Sequence, residues 1–344
     1  MVGKLPLNLM LKYVYPRLGK IDPCVIVGPT VGEDAAIIDL GNGRVLVVHS
    51  DAITGAVESL GWLAVHIVSN DIAVRGARPR WFLMSLFLPE GDVEATVDKI
   101  MAQVDRAARE LDVMVVGGHT ETTAGIRRPI AGTVSMGLTT KDLYITTSGA
   151  KTGDHVVVTK GVGIEGTAVI CTDLSNLLRE KGVDEETISR GIKLLSMVSV
   201  VKEALLLAEN RLATSMHDPT EAGLIGGLSE VAYASKKTME VYEDRIPIFS
   251  ETKIISSALN IDPFRLISSG TLVATIPPDR ISKALKILDE NNIPARVVGR
   301  VKEFNGNLVE IYGKDSKVEN IRTVYMTDEL FRLWGILSGE TLSP

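Results

Sequence analysis

The chain has 344 residues, more than one ordinary hydrophobic core organises, and this points to two domains of roughly 150–200 residues each. A composition of 45% hydrophobic and 23% charged residues is that of a folded globular protein and excludes a disordered one. A net charge of −6 without a basic patch argues against a nucleic-acid partner, and apolar runs as short as residues 45–48 argue against a membrane span.

From the N-terminus, residues 1–6 lack the apolar stretch of a signal peptide, so a cytoplasmic protein is expected. Residues 25–27 and 35–38 read as strands flanking the turn 28–32, Gly-Pro-Thr-Val-Gly. An apolar strand over 45–48 ends in His49, Ser50 and Asp51. A helix follows, with Leu60, Ala64, Ile67, Asp71 and Val74 recurring at spacings of three and four, and it stops at Gly76 with Pro79 just beyond. Residues 81–88 are a strand, and Val93, Val97, Ile100, Val104, Ala108 and Leu111 form the buried stripe of a long helix. Residues 113–116 are a strand running into a glycine turn, Gly117, Gly118, His119, Thr120 and Glu121. A strand over 130–138 carries small residues at Ala131, Gly132 and Ser135, and 149–154 read as a linker.

The second half opens with a strand over 155–159 and a glycine loop over 160–166. Helices run to about residue 211, residues 216–221 head another helix, and strand, helix and strand follow at 272–276, 279–291 and 295–301. Elements mixed this way in both halves predict two α/β or α+β domains, 1–150 and 151–344. Cys24 and Cys171 give neither a disulfide framework nor a thiolate metal cluster. Cys171 reads as core and Cys24 as a buried thiol, with a reactive one as the alternative. A mean hydropathy of +0.18 points to a buried subunit surface.

Mg²⁺ takes hard oxygen ligands, usually one or two carboxylates with water and phosphate oxygens. Carboxylates stand where elements give way to loops: Asp34 before a strand, Asp51 at the end of one, Glu121 in the glycine turn. Asp71 is the sharpest signal, because it shares the apolar stripe of its helix, and a buried carboxylate needs a cation, a partner or a hydrogen bond. A backbone-bonding role for Asp71 or Asn70 is the alternative. Asp218 reads as a helix N-cap, with Pro219 at N1 and Glu221 at N3 of a capping box. The loop Gly161, Gly163, Gly166 matches G-x-G-x-x-G, but no strand precedes the acidic residues about twenty positions on, so a dinucleotide site is not expected. Its amides can still face a phosphate, with Lys160 adding charge. His119 and His217 stand beside carboxylates and His49 precedes Asp51 by two; they read as structural, with general-base work as the alternative.

In order and spacing, a set of segments resembles the AIR synthase-like ATP-binding superfamily. They are Gly32-Glu33-Asp34-Ala35-Ala36, Ser50-Asp51, Asn70-Asp71-Ile72-Ala73 with Gly76-Ala77-Arg78-Pro79, and Gly117-Gly118-His119-Thr120-Glu121. In the second half come Thr159-Lys160-Gly161, residues 216–224 (Met-His-Asp-Pro-Thr-Glu-Ala-Gly-Leu) and Ser269-Gly270-Thr271-Leu272. The resemblance implies a two-domain fold whose N-terminal sheet closes a barrel with that of a second subunit in a homodimer. ATP would lie in the cleft against a C-terminal α/β domain. It implies that Asp34, Asp51, Asp71 and Glu121 hold Mg²⁺ and the phosphates. Asn70, Gly117, Gly118, Thr120 and Gly161 would support the nucleotide beside Asp34, and Asp218 would join from the second domain as a catalytic candidate with His119 and Lys160.

The chemistry implied is ATP- and Mg²⁺-dependent activation of an oxygen in an acyl, amide or small-molecule substrate, usually by phosphoryl transfer. Its implied partners are a small-molecule or protein-bound substrate and a maturation partner protein. A non-catalytic nucleotide-binding scaffold, or a small-molecule kinase similar to thiamine-monophosphate kinase, is the alternative. The layout is most similar to HypE-related hydrogenase maturation proteins, with two departures. Those proteins work through a cysteine at the extreme C-terminus, whereas residues 338–344 contain none, so terminal-cysteine chemistry is not expected. They usually read Gly-Asp-Thr-Lys where this chain has Gly118-His119-Thr120-Glu121.

Overall fold

The computed structural model describes residues 3–313 and 317–337. Its first sheet contains β1 (Val25–Val27), β2 (Ala36–Gly41), β3 (Arg44–Ile53), β4 (Arg78–Leu88), β5 (Met114–Thr122) and β6 (Ile130–Thr140), in the order β1-β2-β3-β6-β4-β5. β4 and β5 run parallel and the other neighbours antiparallel. Burial alternates residue by residue along most of β4 and β6, as expected of a sheet packed on one face. The helices Leu60–Ala73 and Val93–Glu110 cover that face. The longer one is amphipathic, buries Ile100, Val104, Ala107 and Ala108, and is capped by Asp92 accepting from the Ala95 amide. Leu60–Ala73 is buried along its whole length, because it lies between the first sheet and the helix Val201–Glu209 of the second half.

The second sheet contains β7 (His155–Thr159), β8 (Ser215–His217), β9 (Lys237–Tyr242), β10 (Val273–Ile276), β11 (Ala295–Glu303), β12 (Val309–Tyr312) and β13 (Val318–Ile321). Their order is β13-β12-β9-β11-β7-β10-β8, with β12 parallel to β9 and the rest antiparallel. One apolar cluster holds Leu63 and Ile67 together with Ile164 and Leu266, so the two α/β domains share a core where they meet. Among the described residues no helix is long and apolar enough to cross a membrane.

The structure corrects several sequence expectations. β3 runs on to Ile53, so Asp51 lies inside a strand rather than at its end. Gly117, Gly118, His119, Thr120 and Glu121 belong to β5 rather than to a turn. A Cβ on Gly118 would sit 2.1 Å from the Met84 carbonyl oxygen, so that glycine lets β5 approach β4. Residues 216–221 do not head a helix: β8 ends at His217, and the next helix is Gly223–Ser235 with Ala222 at its N-cap. The capping-box reading of Asp218 therefore fails. Cys24 is exposed and Cys171 buried. The tail 338–344, on which the missing cysteine was read, lies outside the described residues.

Candidate metal centre

Side chains on one strand face alternate, so Val45, Val47, His49 and Asp51 of β3 all point toward the helical layer. Asp71, on the last turn of Leu60–Ala73, meets that face. Ligand atoms of His49, Asp51 and Asp71 lie within 4.8 Å of one another. Asp34, just before β2, and Asp218, just after β8, complete a second group with Asp71 inside the same 4.8 Å limit. Loop, helix and strand thus bring four carboxylates of both domains into two adjoining groups that share Asp71.

Arg75 and His217 hold this cluster from behind. Arg75 is fully buried and donates to Glu33 Oε2 at 2.7 Å, Asp34 Oδ2 at 2.8 Å and the Met216 carbonyl at 2.5 Å. His217 Nδ1 lies 2.8 Å from Asp34 Oδ2 and its Nε2 lies 2.8 Å from Glu230 Oε2. Lys4 Nζ reaches the other Glu230 oxygen at 2.9 Å. Burial opposes charge on His217, but Asp34 and Glu230 outweigh it and push its pKa up to about 10. Burial likewise opposes charge on Asp34, and His217 and Arg75 hold it below the ordinary range.

Asp71 and Asp218 are less well supported: His49 Nε2 stands 3.8 Å from Asp71 Oδ2, beyond hydrogen-bond distance. Burial, then Asp218, Asp34 and Asp51, push the Asp71 carboxyl well above the usual range. Burial and Asp34 do the same to Asp218 despite His217 and Arg75. Among the described residues, Asp71 Oδ2 and both Asp218 oxygens are buried without a hydrogen-bond partner. Three orphaned hard oxygens beside two further carboxylates are the donor set of a hard divalent cation such as Mg²⁺, and the residues present fit one.

The remaining candidates lie elsewhere. Asn70 is buried and bridges the domains, donating to the Val198 carbonyl at 2.9 Å and accepting from the Val200 amide at 2.8 Å. Lys160 is occupied by Glu203 Oε1 at 2.7 Å and by the Met197 and Ser199 carbonyls. The adjoining loop is buried, and a Cβ on Gly161 would sit 2.7 Å from the Phe249 ring, so this glycine serves packing. Gly117, Gly118, His119, Thr120 and Glu121 are exposed on β5, an edge strand, where His119 Nε2 lies 3.0 Å from Glu121 Oε2. In this single chain Glu121 is not brought to the other carboxylates. Sequence pattern does not single out Arg75 or Lys4. The signal for Arg75 was available, since it follows a helix of mostly apolar residues, where an arginine demands partners. Lys4 stands 226 residues from Glu230, and no local pattern links them.

The family models for AIR synthase related proteins match the chain twice, the N-terminal domain over residues 32–139 and the C-terminal domain over 151–309. A putative hydrogenase expression/formation protein of Methanocaldococcus jannaschii is 28% identical over 287 residues, covering 81% of this chain and 82% of that one. Carbamoyl dehydratase HypE of Bradyrhizobium diazoefficiens is 27% identical over 260 residues, covering 74% and 72%. A crystal structure of hydrogenase maturation protein HypE in complex with ATP matches with a TM-score of 0.69 at 24% identity, covering 89% and 92%, a likeness of fold. With both domains matched in order and the same two-domain fold, this chain belongs to the AIR synthase-related family.

Proposed function

We propose that the protein is an ATP- and Mg²⁺-dependent enzyme that activates an oxygen of an acyl, amide or small-molecule substrate. The observation that carries this reading is the trio of orphaned oxygens on Asp71 and Asp218 beside Asp34 and Asp51. Asp34, Asp51, Asp71 and Asp218 would hold Mg²⁺, whose part is to neutralise and orient the transferring phosphoryl group. Arg75 and charged His217 fix Asp34 in place, so its charge is aimed before ligand arrives. Asn70 keeps Asp71 in register with the second domain by its two hydrogen bonds to residues 198–200. Relatives named for hydrogenase formation and carbamoyl dehydration support a protein-bound or amide substrate.

A second copy completes the proposed site. Among the described residues no strand pairs with the outer side of β5, which exposes Met114, Val115 and Val116, the kind of edge that a partner strand or sheet covers. Pairing there would carry His119, Thr120 and Glu121 to the partner's cluster. The test is thermal unfolding with ligand: ATP with Mg²⁺ should raise Tm, and ATP with a chelator should not. Equal protection with and without Mg²⁺ would remove the metal from the account.

A further inference from the structure

Beside the carboxylate cluster lies a cavity of about 70 Å³ that uses both domains and both ends of the described chain. Its lining includes the polar side chains of Asp51, Glu165, Ser269, Lys4 and Glu221 and the apolar ones of Ile67 and Phe331. Glu165, in the first turn of the helix Ile164–Asp173, is 4% exposed, and among the described residues its Oε2 has no hydrogen-bond partner. Ser269 is fully buried, and its hydroxyl and backbone amide face the Glu165 carboxyl, which leaves the Oγ lone pairs free to accept. A buried acceptor with nothing to accept from is costly, so the cavity is built for something that donates.

Charge narrows the choice. Among the described residues lining the cavity stand three carboxylates, Asp51, Glu165 and Glu221, against one basic side chain, Lys4. Lys4 is already committed, its ammonium to Glu230 and its backbone amide to Glu221 Oε2 at 2.8 Å. Glu165 belongs to neither carboxylate group compact enough to hold a metal ion, so a bare cation leaves it unserved. A carboxylate or phosphate would add to the excess negative charge. The apolar flank formed by Ile67 and Phe331 suits a hydrocarbon stem, and an aromatic face attracts a cation.

We propose that this cavity binds a primary ammonium group on a short alkyl stem, with Glu165 Oε2 as its counter-ion and Ser269 Oγ as a second acceptor. The inference deepens the reading above, and rests on it in one respect: the cavity shares Asp51 with the proposed metal centre, so the ammonium would be the recognition handle of the molecule being activated. Glu165 is then a specificity residue that sorts amine-bearing acceptors from neutral or anionic ones.

Saturation-transfer NMR with n-propylammonium, propionamide and propionate tests this on the full chain, with ATP·Mg²⁺ binding measured in parallel by calorimetry. The wild type should bind propylammonium in preference to both others. Glu165→Gln should weaken it at least about tenfold while retaining ATP·Mg²⁺ binding and Tm, because a desolvated charge pair loses its partner. Ser269→Ala should weaken it less. Propionamide or propionate binding as well as propylammonium, no binding of any probe, or indifference to Glu165→Gln would overturn the proposal. Propylammonium binding without ATP·Mg²⁺ binding would leave the cavity assigned and overturn the phosphoryl-transfer reading instead.

Discussion

Asp71, on the last turn of a buried helix in the first domain, and Asp218, just past the edge strand β8 in the second, bring carboxylate oxygens within 4.8 Å of each other. Among the described residues, three of their four oxygens are buried without a hydrogen bond, and other carboxylates stand near them. Like charges in a desolvated place oppose one another, so the pair costs the free protein stability. A cation turns the same arrangement into a binding site.

That cost separates a functional acid from a structural one. Asp71→Asn and Asp218→Asn should each raise the Tm of the ligand-free protein by roughly 1–2 °C, the shift that about 1 kcal/mol gives at this size. The same variants should lose stabilisation by ATP·Mg²⁺. Differential scanning fluorimetry reads both, and a lowered Tm without ligand would assign the residues to structure.

Arg75 behaves in the opposite way. It is the fully buried cation of Glu33 and Asp34, and its removal strands both carboxylates. Arg75→Met should cost about 3–5 kcal/mol in urea unfolding, the usual penalty for breaking a buried pair. Arg75→Lys should recover little, because one ammonium cannot match a guanidinium fork directed at Glu33, Asp34 and the Met216 carbonyl.

The first domain was legible because its strands alternate and its helices carry continuous stripes. Asp71 stood out for the same reason: a charge on an apolar stripe is a local signal. Asp218 was disguised, since Asp-Pro-Thr-Glu satisfies the local rules for a helix start, yet Ala222 adopts φ 63° and delays the helix to Gly223. Lys236, with φ 56°, ends that helix and leads straight into β9 without a glycine or proline to mark the turn. Glu121 followed a glycine pair that reads as a turn, but Gly118 serves strand pairing. The network Arg75–Asp34–His217–Glu230–Lys4 spans most of the chain and is set by tertiary structure alone.

His217 gives the protein a pH signature. Its folded pKa, about 10, lies above the ordinary histidine value of 6.5. Its contribution is therefore complete below pH 6.5 and is lost as pH rises through 10. Wild-type stability should fall between pH 7 and 10 more steeply than that of His217→Gln, measured by urea unfolding at each pH. Parallel slopes for the two proteins would show that His217 is neutral in the folded state.

If β5 of one subunit serves the partner's cluster, Asp71→Asn and Glu121→Gln should complement. Each homodimer would have two defective sites, whereas a mixed dimer regains one intact site. Randomly reassembled mixtures should then show about a quarter of the wild-type ATP·Mg²⁺ sites by symmetry. No recovery would place Glu121 outside the partner's site.

The central claim is that distant carboxylates converge to hold a nucleotide polyphosphate through a divalent cation. Isothermal titration of ATP into the wild type, Asp51→Ala and Asp71→Ala, each with and without Mg²⁺, tests it most directly. The account predicts binding in the wild type that needs Mg²⁺ and disappears in both variants. Binding of undiminished affinity in the two variants would contradict it.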